Sequence, residues 1–156
     1  MMRGIVGATL ALSLLLLAET AAHATTSCAF SGIVGVAFGQ YNPFDPSPLD
    51  SAGSMTLRCD NVGPSDTVII DIGRGWASSY TTRTLRSGVD TLGYNLYLDA
   101  ARTAIWGDGT GGSLHYGPFQ PPSGSDLTIS VYGRIASRQN IRAGSYSDIV
   151  TVTIYY

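Results

Sequence analysis

His115 is the one imidazole outside the first 24 residues, and nucleophilic catalysis of the common kind needs such a base beside a Ser or Cys. No second His accompanies it, so the reading is a surface loop residue. Paired carboxylates for glycoside hydrolysis would have to come from scattered Asp residues, because Glu19 is the only Glu. Gly107, Gly109 and Gly112 satisfy the G-x-G-x-x-G spacing of dinucleotide sites. That loop works only between a strand and a helix whose N-terminus holds the pyrophosphate, and the Pro- and Gly-containing stretch 113–122 is no helix. Asp108 lacks the D-x-[DN]-x-[DN]-G spacing of a calcium loop and reads as a turn former. Cys28 and Cys59 have no further ligands to complete a zinc site. The expectation is a protein without catalytic residues, metal or cofactor.

Residues 1–24 have the three parts of a secretory signal: Arg3 in a short n-region, an apolar run from Ile5 to Ala18, and Ala22 and Ala24 in A-x-A spacing. The run is shorter than the roughly 20 residues a membrane-spanning helix needs, so cleavage after Ala24 and an exported domain over 25–156 are expected. No later segment could insert in a membrane. An even pair of cysteines in an exported chain usually oxidises, which predicts a Cys28–Cys59 disulfide. Closing a loop of about 30 residues is worth about 3–4 kcal/mol in the chain-entropy model.

At 156 residues the chain is sized for one domain. Its net charge of −2 lacks the basic excess that displaces counterions from phosphates, which argues against a nucleic-acid partner. All basic residues are Arg, and with one Glu the best surface helix formers are almost missing. Gly (19) and Tyr (9) with Thr, Ser and Val favour strands and turns. Period-two segments separated by turn signals predict strands near 29–38, 54–59, 67–72, 82–85, 92–98, 127–135 and 149–156, with the last residue still in a strand. The Pro-rich stretch 41–48 reads as an ordered loop, and 106–124 as a long one. Seven or so short strands of this spacing match an all-β, immunoglobulin-like sandwich. The aromatics Trp76, Tyr80, Trp106, Tyr116 and Phe119 fall in predicted loops, where each must fold back on the core or face a partner; loop packing is the simpler reading for each singly, and together Trp76, Trp106 and Tyr116 are the candidates for a surface- or glycan-binding module.

Several motifs in order and spacing resemble the spore coat protein U domain family, which also supplies subunits of archaic chaperone-usher pili. They are Cys28-Ala-Phe30, Phe38-Gly-Gln-Tyr-Asn-Pro43, Gly53-Ser-Met-Thr-Leu-Arg-Cys59, Arg83-Thr-Leu-Arg-Ser-Gly88 and Leu92-Gly-Tyr-Asn-Leu-Tyr-Leu-Asp-Ala-Ala-Arg102. Trp106-Gly-Asp-Gly109, Ala143-Gly-Ser-Tyr-Ser-Asp148 and Val150-Thr-Val-Thr-Ile-Tyr-Tyr156 complete the set. The resemblance implies a sandwich that lacks its final strand, with a groove between the first and last strands. A periplasmic chaperone fills that groove, and a neighbouring subunit's N-terminal extension replaces it at the usher. Implied groove walls are Val150, Val152, Ile154 and Tyr156 on one side and Ile33, Val34 and Val36 on the other. Main-chain hydrogen bonds give such strand addition its affinity, and side-chain pockets give it specificity. Signal cleavage after Ala24 leaves Thr25, Thr26 and Ser27 ahead of Cys28, which suits a terminal or accessory subunit that accepts a strand rather than donates one. A spore or cyst coat is the alternative setting, and the cell surface or secretion the expected destination.

Overall fold

Met55, Leu57 and Cys59 alternate with more polar neighbours, and each is at most 2% exposed in the computed structural model, which describes residues 24–156. The same period of two buries Val68, Ile70 and Ile72, and then Ile129, Val131 and Ile135. These are strands with one face in a core and the other in solvent. Eight strands result: β1 (Ser27–Val34), β2 (Leu49–Asp60), β3 (Val68–Ile72), β4 (Arg83–Ser87), β5 (Asp90–Tyr97), β6 (Tyr116–Phe119), β7 (Asp126–Ile135) and β8 (Val152–Tyr155). They form two antiparallel sheets, ordered β1-β2-β7-β5-β4 and β6-β3-β8, around one apolar cluster. The all-β sandwich expected from the periodicity is the observed architecture, with no helix among the described residues. The proposed signal segment lies outside those residues, apart from Ala24.

The Cys28–Cys59 disulfide forms where β1 and β2 pair, since those two residues are directly opposite. Four boundaries differ from the expectations. β2 begins at Leu49, not at 54, and pairs with β7 from Leu49 to Arg58. β6 lies inside the stretch read as one long loop. β8 is four residues long, and Tyr156 is outside it. β1 stops at Val34, and the chain after it leaves the sheet and crosses the core face of β2.

Two glycines on other strands make that crossing possible. A Cβ on Gly53 would stand 2.4 Å from the Val34 carbonyl oxygen and 3.0 Å from the Val36 nitrogen. A Cβ on Gly133 would stand 2.6 Å from Val36 Cγ1 and 2.7 Å from the Phe38 ring. With both side chains absent, Val36 and Phe38 turn inward, and Phe38 meets Tyr94 edge to face at 5.9 Å between ring centroids. The Ser51 hydroxyl, on the same face of β2 as Gly53, donates to the Ala37 carbonyl at 2.6 Å and pins the crossing. Gly53→Ala pushes a methyl against backbone that cannot swing away, so it is expected to cost about 1–3 kcal/mol in chemical denaturation. Gly35→Ala, where a Cβ has nothing within 4 Å, is the matched control and stays within about 0.5 kcal/mol of the native chain. Equal effects would mean that the crossing is not held by this close approach.

Candidate functional site

Where the crossing leaves β1, a cleft of about 1170 Å³ opens between the two sheets. One wall is Ile33, Val34 and Val36 with the residues that follow; the other is the segment 141–148 with Val150 and Val152. The floor is the core itself: Met55, Ile72, Leu92, Val131 and Ile135 are none more than 6% exposed. The rim is open, with Ile33 59% and Val34 65% exposed. An apolar rim left in water is unfavourable by roughly 25 cal/mol per Å² relative to being covered.

The backbone on the β8 side is also open. β8 is the outer strand of its sheet and pairs with β3 alone. The Gly73 N–H donates to the Thr151 carbonyl at 2.8 Å, so Thr151 turns its main-chain groups toward β3. In an antiparallel ladder this direction alternates, so Thr153 and Tyr155 bond β3 while Val152 and Ile154 turn N–H and C=O outward. Side chains alternate as well: Val152 lines the cleft and Ile154 packs on the core. Val152 therefore offers an apolar side chain and unpaired main-chain groups to the same opening. β1 is the outer strand of the facing sheet, so the cleft is bounded by two sheet edges.

The 141–150 wall is held by polar contacts. Asp148 Oδ2 accepts from the Tyr94 hydroxyl at 2.7 Å, and Oδ1 accepts from the Trp76 and Ile149 amides at 3.2 and 2.8 Å. Burial, followed by this bond to Asp148, pushes the Tyr94 phenol far above its usual range, so it remains a neutral donor. Arg86 and Ser147 exchange backbone hydrogen bonds at 2.8 and 3.0 Å, which ties the wall to the edge of β4. These contacts hold the wall out of the sheet, so β8 starts at Val152, three residues later than the alternation in the sequence suggested.

The implied groove residues divide in the structure. Ile33, Val34, Val36, Val150 and Val152 do line the cleft. Ile154 belongs to the core beyond its end. Tyr156 is not a wall: 61% exposed, it borders a separate shallow hollow with Thr26, Asn61 and Asp66. Phe38, Leu85, Tyr94 and Ile141 are lining residues that sequence reasoning missed, although the alternation in 92–98 already placed Leu92 and Tyr94 on one face.

The candidate aromatic surface does not assemble. Trp106 is 0% exposed, its indole N–H donates to the Ile70 carbonyl at 2.8 Å, and it stacks on Tyr116 at 5.3 Å. Tyr116 is half-buried against Trp106 and Phe119, so only Trp76, 53% exposed, remains at the surface. Burial of Trp106 follows from its loop folding back as bridges to Tyr97 and Leu114 rather than standing out. His115 is also better placed than a lone surface residue, with Nδ1 2.6 Å from the Oδ1 of buried Asp71. No Ser hydroxyl is hydrogen-bonded to its ring among the described residues, and no group of three or more His, Cys, Asp or Glu there could hold a metal. The 107–112 glycines lead into a bridge at Leu114 and then β6, not into a helix. No helix among the described residues is long and apolar enough to cross a membrane.

The sequence model of a family described as Spore Coat Protein U domain matches residues 13–153. "Protein U" of Myxococcus xanthus is 27% identical over 146 residues, covering 83% of this chain and 78% of that protein. Among solved structures, a chain matches from the CsuC-CsuE chaperone-tip adhesion subunit pre-assembly complex of the archaic chaperone-usher Csu pili of Acinetobacter baumannii. Its TM-score is 0.52 and its identity 19%, with 85% of this chain covered. This chain spans 40% of the length of that one, and the likeness bears on the fold alone.

Proposed function

The chain belongs to the Spore Coat Protein U domain family, and on that premise we propose that it is a non-enzymatic structural subunit of an exported surface fibre or coat whose cleft accepts a β-strand. The strand comes first from a periplasmic chaperone and then from a neighbouring subunit, with an usher as the site of exchange. The observation that carries this reading is the double opening at Val152, where an apolar cleft and an unpaired strand edge coincide. A strand laid there gains main-chain hydrogen bonds from β8 and places every second side chain over the floor. The immunoglobulin-like sandwich is then complete in two chains, and it is incomplete in one. Export through cleavage of residues 1–24 and a terminal or accessory place in the fibre belong to the same proposal. Mass spectrometry of the exported protein tests the first, and labelling along intact fibres tests the second.

Hydrogen exchange read by NMR tests the strand addition residue by residue. Without a partner the Val152 and Ile154 amides exchange quickly while Thr153 and Tyr155, bonded to β3, exchange slowly. With a partner bound, Val152 and Ile154 become protected and the other two change little. Protection that appears elsewhere but not at Val152 and Ile154 contradicts the proposal. Pilus and coat differ in setting rather than in this physics, and adjacent chaperone and usher genes would favour the pilus.

A further inference from the structure

Next to the groove wall lies a contiguous exposed cluster of Trp76, Arg86 and Ile149. Ile149 is 80% and Trp76 53% exposed, and neither lines the cleft. The two are adjacent because their amides share one acceptor, Asp148 Oδ1. Gly75, at φ +62°, leaves the room that this carboxylate occupies; a Cβ there would lie 2.1 Å from Asp148 Oδ2. Arg86 donates to the Trp76 carbonyl at 3.2 Å, and its guanidinium carbon stands 5.0 Å from the indole centroid. Arg86 is exposed and has no carboxylate within ion-pair distance among the described residues.

Arg86 is held against the Trp76 ring and the Trp76 and Ile149 backbones are fixed by Asp148 before any partner arrives, which removes part of the ordering cost of binding. Trp and Arg are also the side chains most often found at binding hot spots. The cluster is continuous with the groove: Ser147, Asp148 and Val150 line the cleft, and Asp148 bonds Tyr94 on its inner side. A single strand in the cleft cannot cover residues on the far side of that wall. A sugar platform fits poorly, since Arg86 already covers one face of the ring and the neighbour Ile149 has nothing to hydrogen-bond a hydroxyl.

We propose that the groove is one half of a two-part docking site, and that Trp76, Arg86 and Ile149 form the other half, taking the folded body of the periplasmic chaperone whose strand fills the groove. That body presents apolar side chains to Trp76 and Ile149 and a carboxylate to Arg86. The inference rests on the groove reading, and the test separates the two. Affinities are measured for the intact chaperone and for a synthetic peptide of its donor strand, using the native protein and Ile149→Ser, Trp76→Ser and Arg86→Glu. All three positions are exposed, so the variants are expected to fold.

Affinity for the intact chaperone should fall roughly tenfold or more in Trp76→Ser and Arg86→Glu, with peptide affinity unchanged. Equal losses for both probes, or none for either, overturn the two-part site while leaving the groove standing. Binding of neither probe by the native protein overturns the groove and this inference together. Variants that keep full chaperone affinity but lose adhesion to a glycan-coated surface assign the cluster to sugar, which also overturns it.

Discussion

Val152→Asp is expected to abolish capture of the protein by the proposed chaperone, lowering affinity by roughly a hundredfold or more. Val152 faces the cleft opposite Ile72, at the point where an incoming strand must displace water. While the cleft is open a carboxylate there remains hydrated, so the fold bears little of the cost. Once a strand covers it, an unpaired charge is buried among apolar side chains, at a cost of about 3–5 kcal/mol. The loss should therefore be in binding far more than in folding. Tyr155→Asn, on the same strand but 54% exposed and turned outward, keeps capture. Undiminished co-purification of Val152→Asp, or equal loss in Tyr155→Asn, contradicts strand addition at this edge.

Arg83→Met lowers the unfolding midpoint by roughly 10 °C or more, from a loss of about 3–5 kcal/mol. Arg83 is 0% exposed, yet no carboxylate neutralises it within ion-pair distance among the described residues. Its guanidinium instead donates to Asn95 Oδ1 at 2.6 Å and to the carbonyls of Gly73, Ile72 and Trp106 at 3.0, 3.1 and 2.6 Å. The Tyr80 ring stands 5.3 Å from the guanidinium carbon. Burial lowers the Arg83 pKa below the usual arginine range, and the surrounding acceptors hold it charged. Since Arg83 starts in β4 and ends on β3 and the Trp106 loop, it joins the two sheets behind the groove floor. Met fills the space but leaves those acceptors without a donor, and a buried acceptor left unpaired costs about 1–3 kcal/mol. Arg83→Lys keeps the charge but cannot reach four acceptors in a planar fork, so it recovers only part of the loss. Thermal unfolding followed by circular dichroism decides this; a change below about 1 kcal/mol in Arg83→Met would show that the network adds little.

The strands with a core on one face were legible because their period of two is local information: 54–59, 67–72 and 127–135 fall on strands in which alternate apolar residues are buried. The disulfide was legible from cysteine count and export together. The groove was legible only in outline, through its resemblance to a family, and its residues were divided by contacts distant in sequence. β1 ends at Val34 because Gly53 and Gly133 leave space on two other strands, which no window around 29–38 contains. A predicted loop leaves Trp106 to fold back on the core or to face a partner, and the Ile70 carbonyl and the Tyr116 ring, both distant in sequence, decide for the core. Arg83 followed the same logic in reverse. Position rules place Arg at the surface, and its burial depends on four acceptors contributed by three separate parts of the chain.

The central claim is that this sandwich needs a strand from another chain, and periplasmic expression with and without a partner chaperone tests it directly through soluble yield and complex mass. Most of the soluble protein is expected as a one-to-one complex with the disulfide formed, and without the chaperone the yield falls steeply to a minor, aggregation-prone monomer because the cleft and the β8 edge stay open. A stable, soluble monomer at full yield without any partner would show that the sandwich closes on itself and would contradict the claim.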